Sequence, residues 1–222
     1  MNFRSDNTAT AAPEMLEAIT RANVGFAAPY GEDPWTQRLE EALARVFERD
    51  LRVFTVATGT AANSIALASV TPPWGAIVCH REAHIERDEC GAPEFYAGGA
   101  KMTLVEGVHA KIAPEGLRAA LNRPQDVHTS QPAVLSLSQA TERGVIYTPA
   151  EITALSAIAR ERGMRVHMDG ARLANAIAAL SCAPADITWR AGIDLLSFGA
   201  TKNGALGAEC IVAFDQKLSE DI

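Results

Sequence analysis

The chain has 222 residues, of which 48% are hydrophobic and 21% charged, and its formal net charge is −7. These values are typical of a globular protein with a substantial core, and they argue against nucleic acid or an acidic membrane surface as the main partner. The first ten residues, MNFRSDNTAT, lack the apolar segment of a signal peptide, and no segment has the length of a membrane span, so we expect a cytoplasmic protein.

Short apolar runs alternate with helical patterns along the chain. Helices are predicted over 36–47, 61–70, 114–121, 149–162 and 171–180, and another is predicted to start within FDQKLSEDI at the end. Strands are predicted over 51–56, 76–79, 102–105, 133–137, 166–168, 195–198 and 210–214. This order predicts a three-layer α/β/α fold with a mainly parallel mixed sheet. Sheets of this kind bind their ligands in the loops beyond the strand ends.

The first such loop is Thr58-Gly59-Thr60, between a predicted strand and a predicted helix. Gly59 allows close approach of the backbone, and two hydroxyls with the free amides of a helix N-terminus suit a phosphate. The alternative is that Thr58 or Thr60 simply caps the helix.

Two further strand ends carry single charged residues. Asp169 ends the strand 166–168, where it would either face a ligand or cap the next helix. Lys202 follows a strand within LLSFGATKNG, and its small neighbours could desolvate the amine. A desolvated lysine amine is a nucleophile, so Lys202 is a candidate for covalent catalysis.

His84 and Arg172 are weaker candidates. His84, in REAHIERDECGAPEF, could stack on a planar ligand or move protons, or it could be a solvated loop histidine. Arg172 could grip a carboxylate or phosphate, or lie on the surface of a helix.

The sequence predicts no metal site. His80 and His84 are four residues apart, but the string HREAH lacks the glutamate of H-E-x-x-H. The four cysteines form no C-x-x-C pair, which argues against both structural zinc and a disulfide scaffold. We expect Cys79 and Cys210 to be small core residues in a reducing compartment.

Together, the candidate residues match one cofactor. A phosphate loop, a strand-end carboxylate and a lone amine are what pyridoxal 5'-phosphate (PLP) needs for its phosphate, its ring nitrogen and its aldehyde. The sequence therefore predicts PLP as the cofactor.

The motifs also resemble a known group, the L-threonine aldolases among the β-eliminating lyases of PLP fold type I, and within it the low-specificity or phenylserine aldolase-like bacterial branch. The matching strings span nearly the whole chain in the family's order: FRSDNTA, YGEDPWT, ATGTAANSIALAS, AHIERDECGAPEF, VHMDGARLANA and SFGATKNG.

The resemblance implies roles for the residues that would hold the cofactor. Lys202 would bond to its aldehyde, Asp169 would pair with its ring nitrogen, and the loop 58–60 would hold its phosphate. His84 would stack on the ring and help to take the proton of the substrate hydroxyl. Gln139 lies in SLSQATERG, where other branches of the family carry a glutamate-asparagine string, and it is assigned only as a neighbour of the cofactor.

The resemblance also implies a substrate site shared between subunits. Ser5 and Arg172 would bind the substrate carboxylate, with Arg172 also near the cofactor. The enzyme would be a homodimer or homotetramer with its site at the subunit interface, and Tyr30 and Asp6 would serve the partner's site. Residues 1–222 would form the PLP-binding large domain with an arm over 1–30, and the small C-terminal domain of the family would be missing.

The implied reaction is retro-aldol cleavage of L-threonine or a related β-hydroxy-α-amino acid to glycine and an aldehyde. Two alternatives remain open. One keeps PLP but changes the reaction to β-elimination or transamination. The other is a truncated domain that binds its ligand with little or no catalysis.

Overall fold

The computed structural model of the chain describes residues 5–220 and 222. Residues 1–4, which carry the start of the FRSDNTA motif and of the predicted arm, lie outside the described residues, as does residue 221.

Seven strands form one sheet in the described part of the chain. They are β1 (Arg52–Val56), β2 (Gly75–His80), β3 (Lys101–Val105), β4 (Gln131–Ser138), β5 (Arg165–Gly170), β6 (Leu195–Gly199) and β7 (Glu209–Ala213). Their order across the sheet is β1-β7-β6-β5-β4-β2-β3. Strand β7 is antiparallel to both neighbours, and the other neighbouring pairs are parallel. The predicted mainly parallel mixed sheet is therefore confirmed.

The helices are α1 (Pro13–Ala22), α2 (Pro34–Phe47), α3 (Gly59–Ala68), α4 (His84–Arg87), α5 (Ala92–Tyr96), α6 (Pro114–Leu121), α7 (Pro149–Glu161) and α8 (Leu173–Leu180). Among them, α1, α4 and α5 were not predicted, and the segment Gln216–Glu220 is a 3₁₀ helix. Helix α1 carries an apolar stripe of Met15, Leu16 and Ile19 at helical spacing, but none of its side chains is buried in this chain. None of the helices in the described residues combines the length and apolarity needed to cross a bilayer.

The core lies on both faces of the sheet. Side chains of α2, α6, α7 and α8 pack in one cluster with Leu196, whereas α3 packs in another with Leu195 on the opposite face. This alternation follows from the period of two in a strand. Cys79 and Cys210 are buried within such clusters, as predicted. The three-layer arrangement is therefore confirmed.

Strand direction gathers the candidate residues at one edge. Because β7 is antiparallel to both β1 and β6, strands β1 to β6 all run the same way and end at the same edge. Thr58 follows β1, His84 follows β2, Asp169 lies near the end of β5, and Lys202 follows β6. A single site at this edge can therefore draw on four strand ends.

Gly170 allows β5 and β6 to approach closely beside that site. A Cβ at this position would lie 2.5 Å from Leu196 Cδ1 and 2.9 Å from the Ser197 carbonyl oxygen. Because the backbone carbonyl cannot rotate away, Gly170→Ala is expected to lower the free energy of unfolding by about 1–3 kcal/mol. Urea unfolding monitored by circular dichroism would measure this loss.

Gly116→Ala is the matched control. Gly116 lies within α6, and a Cβ there would meet no atom closer than 3.4 Å. This substitution is expected to raise the free energy of unfolding by about 0.4–1 kcal/mol, because alanine restricts the unfolded chain. Equal effects of the two substitutions would contradict the packing argument.

Candidate active site

A cavity of about 290 Å³ opens at the carboxyl edge of the parallel strands. This volume is close to the lower end of the range for small-molecule sites, about 300–1,000 Å³. The predicted site residues that line it are Thr58, Gly59, Thr60, His84, Asp169, Arg172 and Lys202. The structure thus brings together the groups predicted to face a phosphate, a ring nitrogen and an aldehyde.

One end of the cavity is the N-terminus of α3. Thr58 Oγ1 accepts a hydrogen bond from the Ala61 amide at 3.1 Å, so Thr58 caps the helix, and it also lines the cavity. A Cβ on Gly59 would lie 3.6 Å from the carboxylate of Glu209 on β7. Sequence reasoning missed Glu209 because its strand pattern carries no sign of a site. The free amides of the first helical turn are suited to an anion.

Asp169 is buried, and both of its carboxylate oxygens accept hydrogen bonds. Oδ1 accepts from the Ala171 amide at 3.1 Å, and Oδ2 accepts from Asn63 Nδ2 at 3.1 Å. The predicted start of the following helix was two residues early, because α8 begins at Leu173 and Arg172 takes the N-cap position. Asp169 is therefore held by a turn and by Asn63, with its side chain in the cavity wall.

His84 belongs to a buried hydrogen-bond network. The Glu89 side chain is completely buried, and its Oε1 bonds both His84 Nδ1, at 2.9 Å, and Asn63 Nδ2, at 2.8 Å. The Glu89 hydrogen bond raises the pKa of His84 above its ordinary value, although partial burial acts in the opposite direction. Asn63 thus links Glu89 to Asp169.

These groups could also be considered for a cation. Nitrogen and oxygen atoms of His84, Glu89 and Asp169 lie within 4.8 Å of one another. The Asn63 amide donates to both carboxylates, at 2.8 Å to Glu89 and 3.1 Å to Asp169. These oxygens therefore already have a hydrogen-bond donor from within the chain.

Arg172 and Glu142 both line the cavity. Its Nε and Nη2 donate to the Asp6 carboxylate at 2.7 and 3.3 Å, and its Nη1 lies 3.9 Å from Glu142 Oε2. Asp6, predicted to serve a partner's site, therefore contacts Arg172 within the same chain. Burial raises the pKa of Glu142, although the positive charge of Arg172 acts against this.

Lys202 lies on a short 3₁₀ turn, Thr201–Asn203, directly after β6. It is half-buried and lines the same cavity as Asp169. The two side chains on which the PLP prediction depends are therefore on the same side of the sheet.

Besides Asp6, three predicted residues do not line the cavity. Gln139 is fully buried. Its Nε2 donates to the Tyr147 carbonyl at 2.8 Å, and its Oε1 accepts from the Tyr147 backbone amide at 3.0 Å. Gln139 therefore supports the loop after β4. Ser5 is exposed and caps the turn Asp6–Thr8 through the Asn7 amide. Tyr30 is 99% exposed. In this chain alone, none of these three residues contributes to the cavity lining.

The sequence analysis assigned no role to four polar residues that the structure places in the lining: Asn63, Glu89, Glu142 and Glu209. Asn63 had a usable signal, because it is a polar amide within the largely apolar helix pattern AANSIALA. Glu89 lies five residues after His84, outside the helical spacing of three or four that suggests a paired side chain.

Comparison with known proteins places the chain in a family. The model of the Beta-eliminating lyase family matches residues 2–221. The low specificity L-threonine aldolase of Pseudomonas sp. (strain NCIMB 10558) is 45% identical over 219 residues, which cover 99% of this chain and 63% of the relative. The Saccharomyces cerevisiae low specificity L-threonine aldolase is 32% identical over 189 residues, covering 80% of this chain and 46% of the relative.

A solved structure, a threonine aldolase of Leishmania major, superposes with a TM-score of 0.89 and 29% identity, covering 96% of this chain and 62% of that one. The chain spans 63% of the length of the Pseudomonas relative, slightly less than two thirds. The family match extends over nearly every residue and agrees with the observed α/β fold. The chain therefore belongs to the beta-eliminating lyase family.

Proposed function

We propose that the chain is the cofactor-binding domain of a PLP-dependent aldehyde-lyase that cleaves L-threonine or related β-hydroxy-α-amino acids to glycine and an aldehyde. The family and its threonine aldolase members depend on PLP. The observation that carries the proposal is the placement of Asp169 and Lys202 in one cavity with the N-terminus of α3.

The residues present fit PLP. The free amides at the start of α3, with Thr58, Gly59 and Thr60, would hold the phosphate. Asp169, buried and hydrogen-bonded, would pair with the ring nitrogen and favour its protonated form. Lys202 would supply the amine that bonds to the aldehyde, with release of one water.

When bound, PLP supplies an electron sink that weakens the Cα–Cβ bond of an attached amino acid. The protein residues orient the substrate and move its proton. Arg172 would bind the substrate carboxylate in competition with Asp6, which now occupies two of its donor nitrogens. His84 would stack on the ring and accept the hydroxyl proton at Nε2, because Nδ1 is occupied by Glu89.

Product analysis tests this proposal. The purified chain, supplied with PLP and L-threonine, is expected to form glycine and acetaldehyde in equal amounts. A keto acid in place of glycine would contradict it in favour of β-elimination or transamination. Cofactor binding without turnover would favour the alternative of a domain with little or no catalysis. This alternative is tested because the match covers only 63% of the Pseudomonas relative.

We also propose a homodimer or homotetramer whose site lies at the subunit interface. Met15, Leu16 and Ile19 on α1 are between 42% and 51% exposed, and Phe26 and Tyr30 are almost fully exposed. Such a concentration of exposed apolar residues in one segment is typical of an interface. Tyr30 and Ser5 could then approach the partner's site. A monomer in light scattering would contradict this proposal.

The domain extent and location remain predictions. Residues 1–222 would form the large domain with an arm over 1–30, and a small C-terminal domain would be part of the complete enzyme. We propose a cytoplasmic location, because the four cysteines in the described residues are free thiols, which suits a reducing compartment.

A further inference from the structure

The fully buried Glu89 carboxylate reaches the proposed chemistry only through its hydrogen bond to His84. It lies beyond α4, five residues after His84, and its side chain is 0% exposed, whereas that of His84 is 29% exposed and reaches the cavity. A buried carboxylate is costly unless it is paired and hydrogen-bonded. Here Oε1 is bonded to both His84 and Asn63, while Oε2 is buried without a partner among the described residues.

We propose that Glu89 is a positioning residue that holds His84 by Nδ1, so that Nε2 is the atom that exchanges a proton with a ligand in the cavity. The role of this proton exchange in cleavage rests on the proposed function. The geometry itself is independent of it, because the hydrogen bond of 2.9 Å is made entirely within the chain.

The charges around His84 support this assignment. Glu89 and Asp169 are two buried carboxylates that both accept from the same Asn63 nitrogen, at 2.8 and 3.1 Å. Two carboxylates this close repel each other unless positive charge or donor hydrogens compensate. Protonated His84 supplies such a charge.

Other charged groups also face the cavity and act on His84. Asp169 and Glu142 add negative charge that favours the protonated imidazole. Arg172 and Lys202 also line the cavity and carry positive charge. Glu89 differs from all of these because it alone forms a hydrogen bond with the imidazole. Its removal should therefore have the largest single effect on the protonation of His84.

Nuclear magnetic resonance of the cofactor-free chain tests the proposal. With ¹⁵N-histidine labelling, and His84→Asn to assign the signal, His84 is expected to titrate above its ordinary value of 6.5. Above that pH, the neutral ring is expected to keep its proton on Nδ1. Glu89→Gln, which preserves shape and removes the charge, should lower the pKa of His84 by about one pH unit.

Asp88→Asn is the matched control, since Asp88 is the exposed neighbour of Glu89 and should leave the His84 titration unchanged. An unchanged titration in Glu89→Gln would overturn the proposal. So would a neutral wild-type ring protonated on Nε2, a result that needs no variant to fold. The titration is measured without cofactor, so it tests the Glu89–His84 pair separately from the proposed function. If the titration behaves as expected but the chain fails to bind PLP, the pair is supported and the proposed function is refuted.

Discussion

Lys202→Ala is expected to abolish the covalent adduct that borohydride fixes between the chain and PLP. The Lys202 amine lines the same cavity as Asp169 and the N-terminus of α3, so it is the amine placed to reach the cofactor aldehyde. In the wild type, reduction should attach one cofactor to the peptide that contains Lys202. Peptide mass spectrometry before and after reduction would measure the stoichiometry and the position.

The matched control is Lys101→Ala, which removes an exposed lysine from β3 and should leave the adduct intact. The small volume change in a half-buried turn should leave the fold in place, which circular dichroism would verify. If the Lys202→Ala chain still carries one reduced cofactor on another lysine at wild-type occupancy, the assignment of Lys202 is wrong.

The sheet and most of its helices could be predicted because local pattern and global fold agree. The strand ending in Asp169 and the strand before Lys202 both read as buried apolar runs, and parallel pairing then places their ends at one edge. The antiparallel direction of β7 could not be predicted from its sequence, because strand direction depends on long-range pairing and not on the composition of the strand.

The site residues could be predicted where the proposed chemistry requires a particular residue type, as it requires an amine at Lys202 and a carboxylate at Asp169. Asp169 lies near the end of β5 and Lys202 lies on the turn after β6, so the fold sets the positions of both residues. The contacts of Glu89 and Gln139 were not predictable, because they depend on how separate loops pack. Gln139 carries the same polar groups whether it faces a ligand or the Tyr147 backbone, and only the three-dimensional path of the loop decides between them.

Asp169→Asn is expected to weaken PLP binding by about 10- to 100-fold, because a hydrogen bond to a charged group contributes about 1.5–3 kcal/mol. Asparagine preserves the shape of the side chain and an oxygen that can accept from the Ala171 amide, so the turn should survive. It loses the negative charge that favours a protonated ring nitrogen. A titration followed by cofactor absorbance would give the dissociation constants.

The same titration of Asp88→Asn separates the specific effect of the Asp169 charge from a general change in net charge, since Asp88 is exposed and outside the cavity lining. Asp88→Asn should bind PLP as the wild type does. Dissociation constants within about twofold for Asp169→Asn and the wild type, less than 0.5 kcal/mol apart, would mean that the buried carboxylate does not face the ring nitrogen. The hydrogen bonds to Asn63 and Ala171 would then be the whole role of Asp169, and its place in the cavity wall would be structural.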